Sequence, residues 1–309
     1  AEDAFRLALK SYPEFKDYIL YRLAECDFEQ RQFLEANNTL ESLLHSFPGS
    51  RFQTEAEWMY AKTFEILGHS NKAISTLANA VLRGPANHKL IPIMIYQLGR
   101  LQEDAESFFL AYQAYQKLYI KYPTHPSTDK AIKGMKRLDN LENFKSPLMM
   151  GKDYLERIRN LLNQTKFEQV IQEIEILDKK ESLTEAQFFL YKASALLAIG
   201  KRKSADKNWR SFLKRFPLHP QKHNIQFKIA RNLWNLDRNK EAAELFENIA
   251  KNKNNSHLSP KARHFLGRVY QTSGKLDEAI AEFEILITQF SKNKYAQEAR
   301  WRIGFLRYL

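Results

Sequence analysis

Small residues recur along this chain at one place in an apolar helical pattern. They are Ala24, Ala61, Gly99, Ala193, Ala230, Gly267 and Gly304, spaced 37, 38, 94, 37, 37 and 37 residues apart. Twelve residues after each of the first six stands an alanine: Ala36, Ala73, Ala111, Ala205, Ala242 and Ala279. Four further on comes a large side chain on the same helical face: Leu40, Leu77, Tyr115, Trp209, Phe246 and Phe283. Two helices approach closely only where both present small residues, and larger ones fill in around that point. The pattern therefore predicts antiparallel helix pairs, the small residue on the first helix and the alanine on the second. One pair cannot bury its own apolar sides, so pairs stack. The expected fold is all-α, a right-handed superhelix (an α-solenoid) without a sheet.

The turns agree with that register. Gly68, Gly200 and Gly274 fall between first and second helices, where a left-handed C-cap is wanted, and Asp237 holds the equivalent place in another unit. Pro48, Pro85, Pro123 and Pro217 end second helices. The gap of 94 breaks the rhythm, since two units need only about 74 residues by the same period. An extra helix is predicted near 128–141, then a loop through Pro147 and Gly151. A degenerate unit comes next, over 154–163 and 167–180, with Ile158 and Val170 in its small positions. The expected division is 1–145 and 146–309, with a change of pitch or direction near 126–152.

Composition narrows the chemistry. Only 10 Gly and 10 Pro occur in 309 residues, against typical usage of roughly 7% and 5%. That argues against a glycine-fingerprint nucleotide fold or a loop-rich sandwich. A hydrophobic fraction of 44%, with 21 Phe and 14 Tyr, argues against disorder. One cysteine excludes an intrachain disulfide framework, and Cys26 reads as buried filler. No apolar run is long enough to span a membrane. The AEDAF start suits a processed mature protein or a trimmed one. His219 and His223 are four apart but separated by Pro220, and no HExxH motif occurs, so no metal or other cofactor is expected. Carboxylate pairs such as Glu173/Glu175 read as solvated helix faces. The formal charge of +12 would attract a polyanion. Basic clusters stand at Lys201–Lys203, at Arg210, Lys214 and Arg215, and at Lys130, Lys133, Lys136 and Arg137. No nucleic-acid-binding motif accompanies them, so nucleic acid is not the expected partner.

The repeat unit resembles the tetratricopeptide repeat, most clearly at Phe265-Leu266-Gly267, Tyr270, Gly274, Ala279 and Phe283, with His264 near the place of the early Trp. A narrower resemblance lies at the two ends. Asp17-Tyr18, Tyr21-Arg22-Leu23-Ala24 and Phe47-Pro48-Gly49-Ser50-Arg51 are similar to the leading segment of bacterial soluble lytic transglycosylases. Residues 295–308 look like that family's last superhelical units. The resemblance implies a periplasmic, peptidoglycan-associated protein. Its members cleave a glycosidic bond without water, using a Glu in an ES-containing motif of a lysozyme-like domain. The motifs of that domain do not occur here, and Glu181-Ser182 is a bare dipeptide. The expectation is thus a non-catalytic scaffold that binds or positions peptidoglycan or a partner, whether or not a longer parent is an enzyme. Its candidate groove residues are Lys201, Arg202, Arg210 and Lys214, facing the superhelix interior. The alternative is a periplasmic or cytoplasmic protein–protein adaptor resembling outer-membrane assembly proteins with tetratricopeptide repeats.

Overall fold

A computed structural model describes residues 2–179, 185–252 and 257–308. Among them are seventeen α-helices, one short 3-10 helix (Pro13–Phe15) and no strand. Residues 181 and 182 lie outside the described residues.

The chain divides into two compact units, 1–161 and 162–309. The boundary falls inside a helix, sixteen residues beyond the 145/146 division expected from sequence. The first unit opens with α1 (Glu2–Ser11) and continues with three pairs. These are α2 (Lys16–Glu29) with α3 (Phe33–Ser46), α4 (Gln53–Ile66) with α5 (Ser70–Arg83), and α6 (Ile91–Asp104) with α7 (Phe108–Lys121). Then come α8 (Pro126–Asp139) and α9 (Gly151–Asn163). The second unit holds α10 (Phe167–Lys179) and three further pairs. They are α11 (Ala186–Ala198) with α12 (Arg202–Arg215), α13 (Lys222–Trp234) with α14 (Asn239–Lys251), and α15 (Ser259–Thr272) with α16 (Leu276–Gln289). The last helix is α17 (Lys294–Tyr308).

The small-residue seam forms the tightest part of each core. Ala24, Ala61, Ala193 and Ala230 are buried, as are the six second-helix alanines. Leu40, Leu77, Tyr115, Trp209, Phe246 and Phe283 are buried beside them. A Cβ on Gly267 would lie 2.5 Å from Cε1 of Phe283, so only glycine admits that ring. Gly304 departs from the expected role. It is exposed, and a Cβ there would meet nothing within 4 Å.

The helix expected near 128–141 is α8, and it is not an insertion. It packs on both α7 and α6, as the next first helix of an array does. Its Gly134 stands 35 residues after Gly99 and faces the same Tyr115 ring. The irregularity lies just beyond α8: instead of a second helix, residues 140–150 form a loop leading to α9. Arg157 and Asn160 of α9 then donate to the carbonyls of Tyr119 and Ile120 near the end of α7. The gap of 94 is therefore made of steps of 35, 24 and 35 residues, through Gly134 and Ile158.

The turns after α2, α4, α6, α9, α11, α13 and α15 each hold one residue in the left-handed region: Arg31, Gly68, Glu106, Thr165, Gly200, Asp237 and Gly274. The following amide then reaches back to close the helix end, as when His69 N–H donates to Phe64 O at 2.8 Å and Lys275 N–H to Tyr270 O at 2.9 Å. Only three of the seven are glycine.

Candidate functional site

Three pairs of neighbouring first helices touch: α6 with α8, α13 with α15, and α15 with α17. Among the described residues no successive second helices make comparable contact. First helices thus form the inner, more closely spaced wall of each array, and second helices the outer one.

That geometry relocates the four basic residues singled out from sequence. Arg202, Arg210 and Lys214 are exposed on α12, a second helix, and Lys201 is its N-cap residue. They therefore stand on the second helix of their pair, whereas the contacts between neighbouring pairs are made by first helices. Lys201 alone of the four lines a groove of about 560 Å³ between α10, α11 and α12. Charges in that groove are partly matched already: Lys192 lies 3.1 Å from Glu175, and Arg215 lies 3.9 Å from Asp178. Arg210 is tied to Asp206 at 2.8 Å. Cys26 is half-buried, not the fully enclosed filler its spacing suggested.

The inner wall of the second unit is where charge gathers. Helices α13, α15 and α17 carry three, three and four Lys or Arg, ten in all, against one carboxylate, Glu298. The intervening second helices reverse the balance, with two basic residues against seven acidic on α14 and α16. Two of the ten reach outward to those acids: Arg263 to Glu282 and Arg307 to Glu284, both at 2.8 Å. Arg302 holds Glu298 at 2.6 Å. Lys228, Arg231, Lys261, Arg268 and Lys294 have no ion pair within 4.0 Å among the described residues.

Aromatic rings take the place of carboxylates around these cations. Arg231 lies over Phe265 at 5.1 Å, Arg268 over Trp234 at 5.0 Å, and Lys261 over Phe227 at 4.6 Å. Phe265 anchors the group, edge-on to Phe227 and Trp234 and stacked on Phe246. Trp234 is fixed by its indole N–H donating to Thr272 Oγ1 at 3.1 Å. Burial holds Arg268 below the ordinary guanidinium range, helped by Arg302 and Arg231 and opposed by Glu298. Lys261 is likewise lowered by burial, then by Arg231 and Lys294. Toward the end of α17, Trp301 and Phe305 stack at 5.6 Å with 64% and 42% of their surfaces exposed.

The first unit treats the same register differently. Arg100, one residue after Gly99, pairs with Glu65, four residues after Ala61 on the preceding first helix. Arg137 of α8 grips Glu103, four residues after Gly99, through two bonds of 2.9 and 3.0 Å. His88, just before α6, meets Glu55 at 3.1 Å. Between α4 and α6 and between α6 and α8 its first helices are thus joined by acid on one and base on the next, while between α2 and α4 the same offsets place Lys62 over the Phe28 ring at 5.2 Å. Sequence reasoning missed this contrast because it weighed charge clusters along the chain. The signal was present as residue type at fixed offsets from the small-residue marker.

Tetratricopeptide-repeat family models match residues 18–50 and 227–294. No curated protein matches the chain. Among solved structures, it is similar to the C-terminal part of a repeat protein of this kind from Cytophaga hutchinsonii. Identity is 17%, coverage 90% of this chain and 98% of that one, and the TM-score 0.40. It is also similar to a tetratricopeptide repeat protein from Parabacteroides merdae, at 12% identity, 94% and 98% coverage and a TM-score of 0.34. The domain of these repeats in P58(IPK) gives 14%, 94% and 98%, and 0.34. The matched repeats fall in both compact units, and the chain carries tetratricopeptide repeats in an all-helical, α-solenoid build.

Proposed function

We propose that this chain is a non-catalytic scaffold that holds a protein partner against the inner wall of its second unit. The carrying observation is the sorting of charge there: ten basic residues against one acidic on α13, α15 and α17, and the reverse on α14 and α16. Like charges held together cost stability unless a ligand neutralises them, so a wall of one sign favours a partner of the other. The repeats supply the rigid surface that presents it.

The test is photo-crosslinking from single positions of the full chain in its native cells. A probe at Lys228, on the inner wall, should give discrete protein adducts. A probe at Lys203, on the outer face of α12, should not. Equal labelling from both positions would overturn the assignment of the wall.

The finer reading is the superhelical part of a periplasmic lytic transglycosylase, with peptidoglycan as ligand. Two features favour it: the resemblance at residues 17–51 and 295–308, and a basic wall that would suit carboxylate-bearing peptide stems. Co-sedimentation with purified sacculi tests it, beside a protein of equal charge and unrelated fold. Retention no greater than the control's removes peptidoglycan as a ligand and leaves the protein scaffold standing.

A further inference from the structure

Helix α12 differs from every other second helix in its charge. It carries six Lys or Arg against one acid, Asp206, whereas α3, α5, α7, α10, α14 and α16 carry at most two basic residues each. Four of the six form a stripe. Lys203, Lys207, Arg210 and Lys214 stand four, three and four residues apart and are all exposed. At 3.6 residues per turn they fall within about 60° of one another and run about 16 Å along the axis. The buried side chains Ala205, Trp209 and Phe212 take the opposite face, so the stripe points straight away from the core. Only Arg210 in it is matched, by Asp206 at 2.8 Å. The nearby acids of α10 are taken by cations outside the stripe, Asp178 by Arg215 and Glu175 by Lys192. Lys203, Lys207 and Lys214 have no ion pair within 4.0 Å among the described residues.

The stripe ends beside a turn that carries a second signal. Leu218, four residues after Lys214, is 94% exposed, more than any other large hydrophobic side chain among the described residues. Its turn, Pro217-Leu218-His219-Pro220, repeats Pro123-Thr124-His125-Pro126 of the first unit. In both, the histidine Nδ1 accepts the N–H two residues on, from Gln221 and from Ser127, each at 3.1 Å. His219 also sits edge-on to Phe212 and Phe216. The turn is therefore held by its histidine and needs no leucine, since Thr124 serves at the same place. Leu218 is an apolar group presented outward by a fixed turn.

We propose that α12 and the turn after it seat the chain on the surface of an anionic lipid bilayer, the lysines against headgroup phosphates and Leu218 in the interface. Three of the four cations are lysines, point charges without the fork that reads one carboxylate or phosphate, and they suit negative charge spread over a plane. An apolar side chain at the end of the row adds the second signal that peripheral attachment needs. A nucleic acid would instead call for exposed rings to stack its bases, and the aromatic residues of α12, Trp209 and Phe212, are buried. This surface is separate from the first-helix wall and stands independently of the protein partner proposed for it.

The experiment is co-sedimentation of the full chain with vesicles of phosphatidylcholine alone and of equal parts phosphatidylcholine and phosphatidylglycerol, at low and physiological salt. The chain should bind the anionic vesicles only, and less at higher salt. Lys203→Gln, Lys207→Gln and Lys214→Gln together should weaken binding on the order of a hundredfold, about fivefold for each cation removed. Lys133→Gln, Lys136→Gln and Lys152→Gln remove the same charge from the first unit and should leave binding nearly unchanged. Leu218→Thr, which copies the equivalent turn, should weaken it about tenfold at either salt concentration, the scale of partly burying one leucine. An environment-sensitive dye placed by Leu218→Cys in a Cys26→Ser background should shift to the blue on anionic vesicles, and the same dye at Thr124→Cys should not. Equal losses in the two triple variants would reduce the effect to net charge and overturn the proposal. Binding without a shift at residue 218 also overturns it, since the turn then lies off the surface. So does an oligothymidylate that binds through the same three lysines while anionic vesicles do not, which would make α12 a contact for a phosphate backbone. Lipid is read here at α12 and protein at Lys228, so either result can fail with the other intact.

Discussion

Tyr115 and Gly134 meet so closely that a Cβ on residue 134 would lie 2.5 Å from Cε2 of the ring. The opposite edge of the same ring lies against Gly99, where a Cβ would fall 2.5 Å from Cε1. One side chain on α7 is thus gripped between glycines of α6 and α8. Its hydroxyl donates to Glu103 at 2.7 Å, and Glu103 in turn accepts from Arg137 of α8. Burial, with the Glu103 carboxylate beside it, holds the phenol well above its ordinary range, so it stays a donor throughout the working pH. Alanine in place of a helical glycine ordinarily gains about 1 kcal/mol from propensity. Gly134→Ala should instead lose about 1–3 kcal/mol, because overpacking at the ring exceeds that gain. Urea denaturation of the variant measures it, and a raised midpoint would mean that α8 does not close on Tyr115.

The same substitution should have opposite signs at two positions that share one sequence register. Gly267 faces Phe283 at a distance no side chain tolerates, whereas Gly304 faces open space. Gly267→Ala should destabilise by about 1–3 kcal/mol, and Gly304→Ala should stabilise by up to about 1 kcal/mol. Thermal melts of the two variants beside the parent make the comparison. Destabilisation by Gly304→Ala would require a contact on α17 that the structure does not show.

How much of this was legible in the sequence depends on which property carried the information. The helix pairs were, because close approach demands small residues and the demand recurs at each unit: Ala24 with Ala36, Gly267 with Ala279. Gly134 was not, although it lies 35 residues after Gly99, because no alanine follows it at the usual offset to mark a second helix. The left-handed turns were legible where glycine marked them and, in part, at Asp237. They were silent at Arg31, Glu106 and Thr165, where the stacked helices impose a conformation the residue does not favour. The basic candidates show a different limit. Lys201, Arg202, Arg210 and Lys214 form a dense run along the chain, but wall assignment depends on whether a helix is first or second in its pair. Arg231 and Arg268, scattered in sequence, share one wall in space.

Thr165 makes the cost of those silent turns measurable. It is β-branched and sits at φ 57°, where its Cβ crowds the backbone. Gly68, Gly200 and Gly274 take the equivalent places with φ from 74° to 79°. Thr165→Gly should raise stability by about 1 kcal/mol, the relief of left-handed strain less the extra chain entropy of glycine. Chemical denaturation reads the change directly. A loss of stability would show that the exposed threonine side chain makes a contact worth more than the strain.

His264 gives the second unit a dependence on pH. It is 2% exposed and stacked on Tyr295 of α17 at 4.9 Å, with Phe265 of α15 and Phe283 of α16 against its other sides. Its Nε2 lies 3.5 Å from Glu298, and its Nδ1 has no hydrogen-bond partner. Burial pushes its pKa down from 6.5 to about 4; Glu298 opposes the shift, and Arg302 and Arg268 add to it. The ring is therefore neutral in the folded chain near neutral pH. Between about pH 6.5 and 4 the unfolded chain takes up a proton that the folded chain refuses. Stability must then fall as pH falls through that window, with nothing further lost from this group below it. The full effect is on the order of 3 kcal/mol. His264→Phe keeps an aromatic ring in the slot and removes the titration. Its denaturation midpoint should therefore decline less steeply between pH 6.5 and 4 than that of the parent. Parallel declines in the two proteins would show that His264 is accommodated as a cation, with Glu298 compensating its charge in full. Because Glu298 also pairs with Arg302, an Arg302→Gln background should lessen the opposing charge around the ring and raise the onset of protonation, which places the two measurements on one scale.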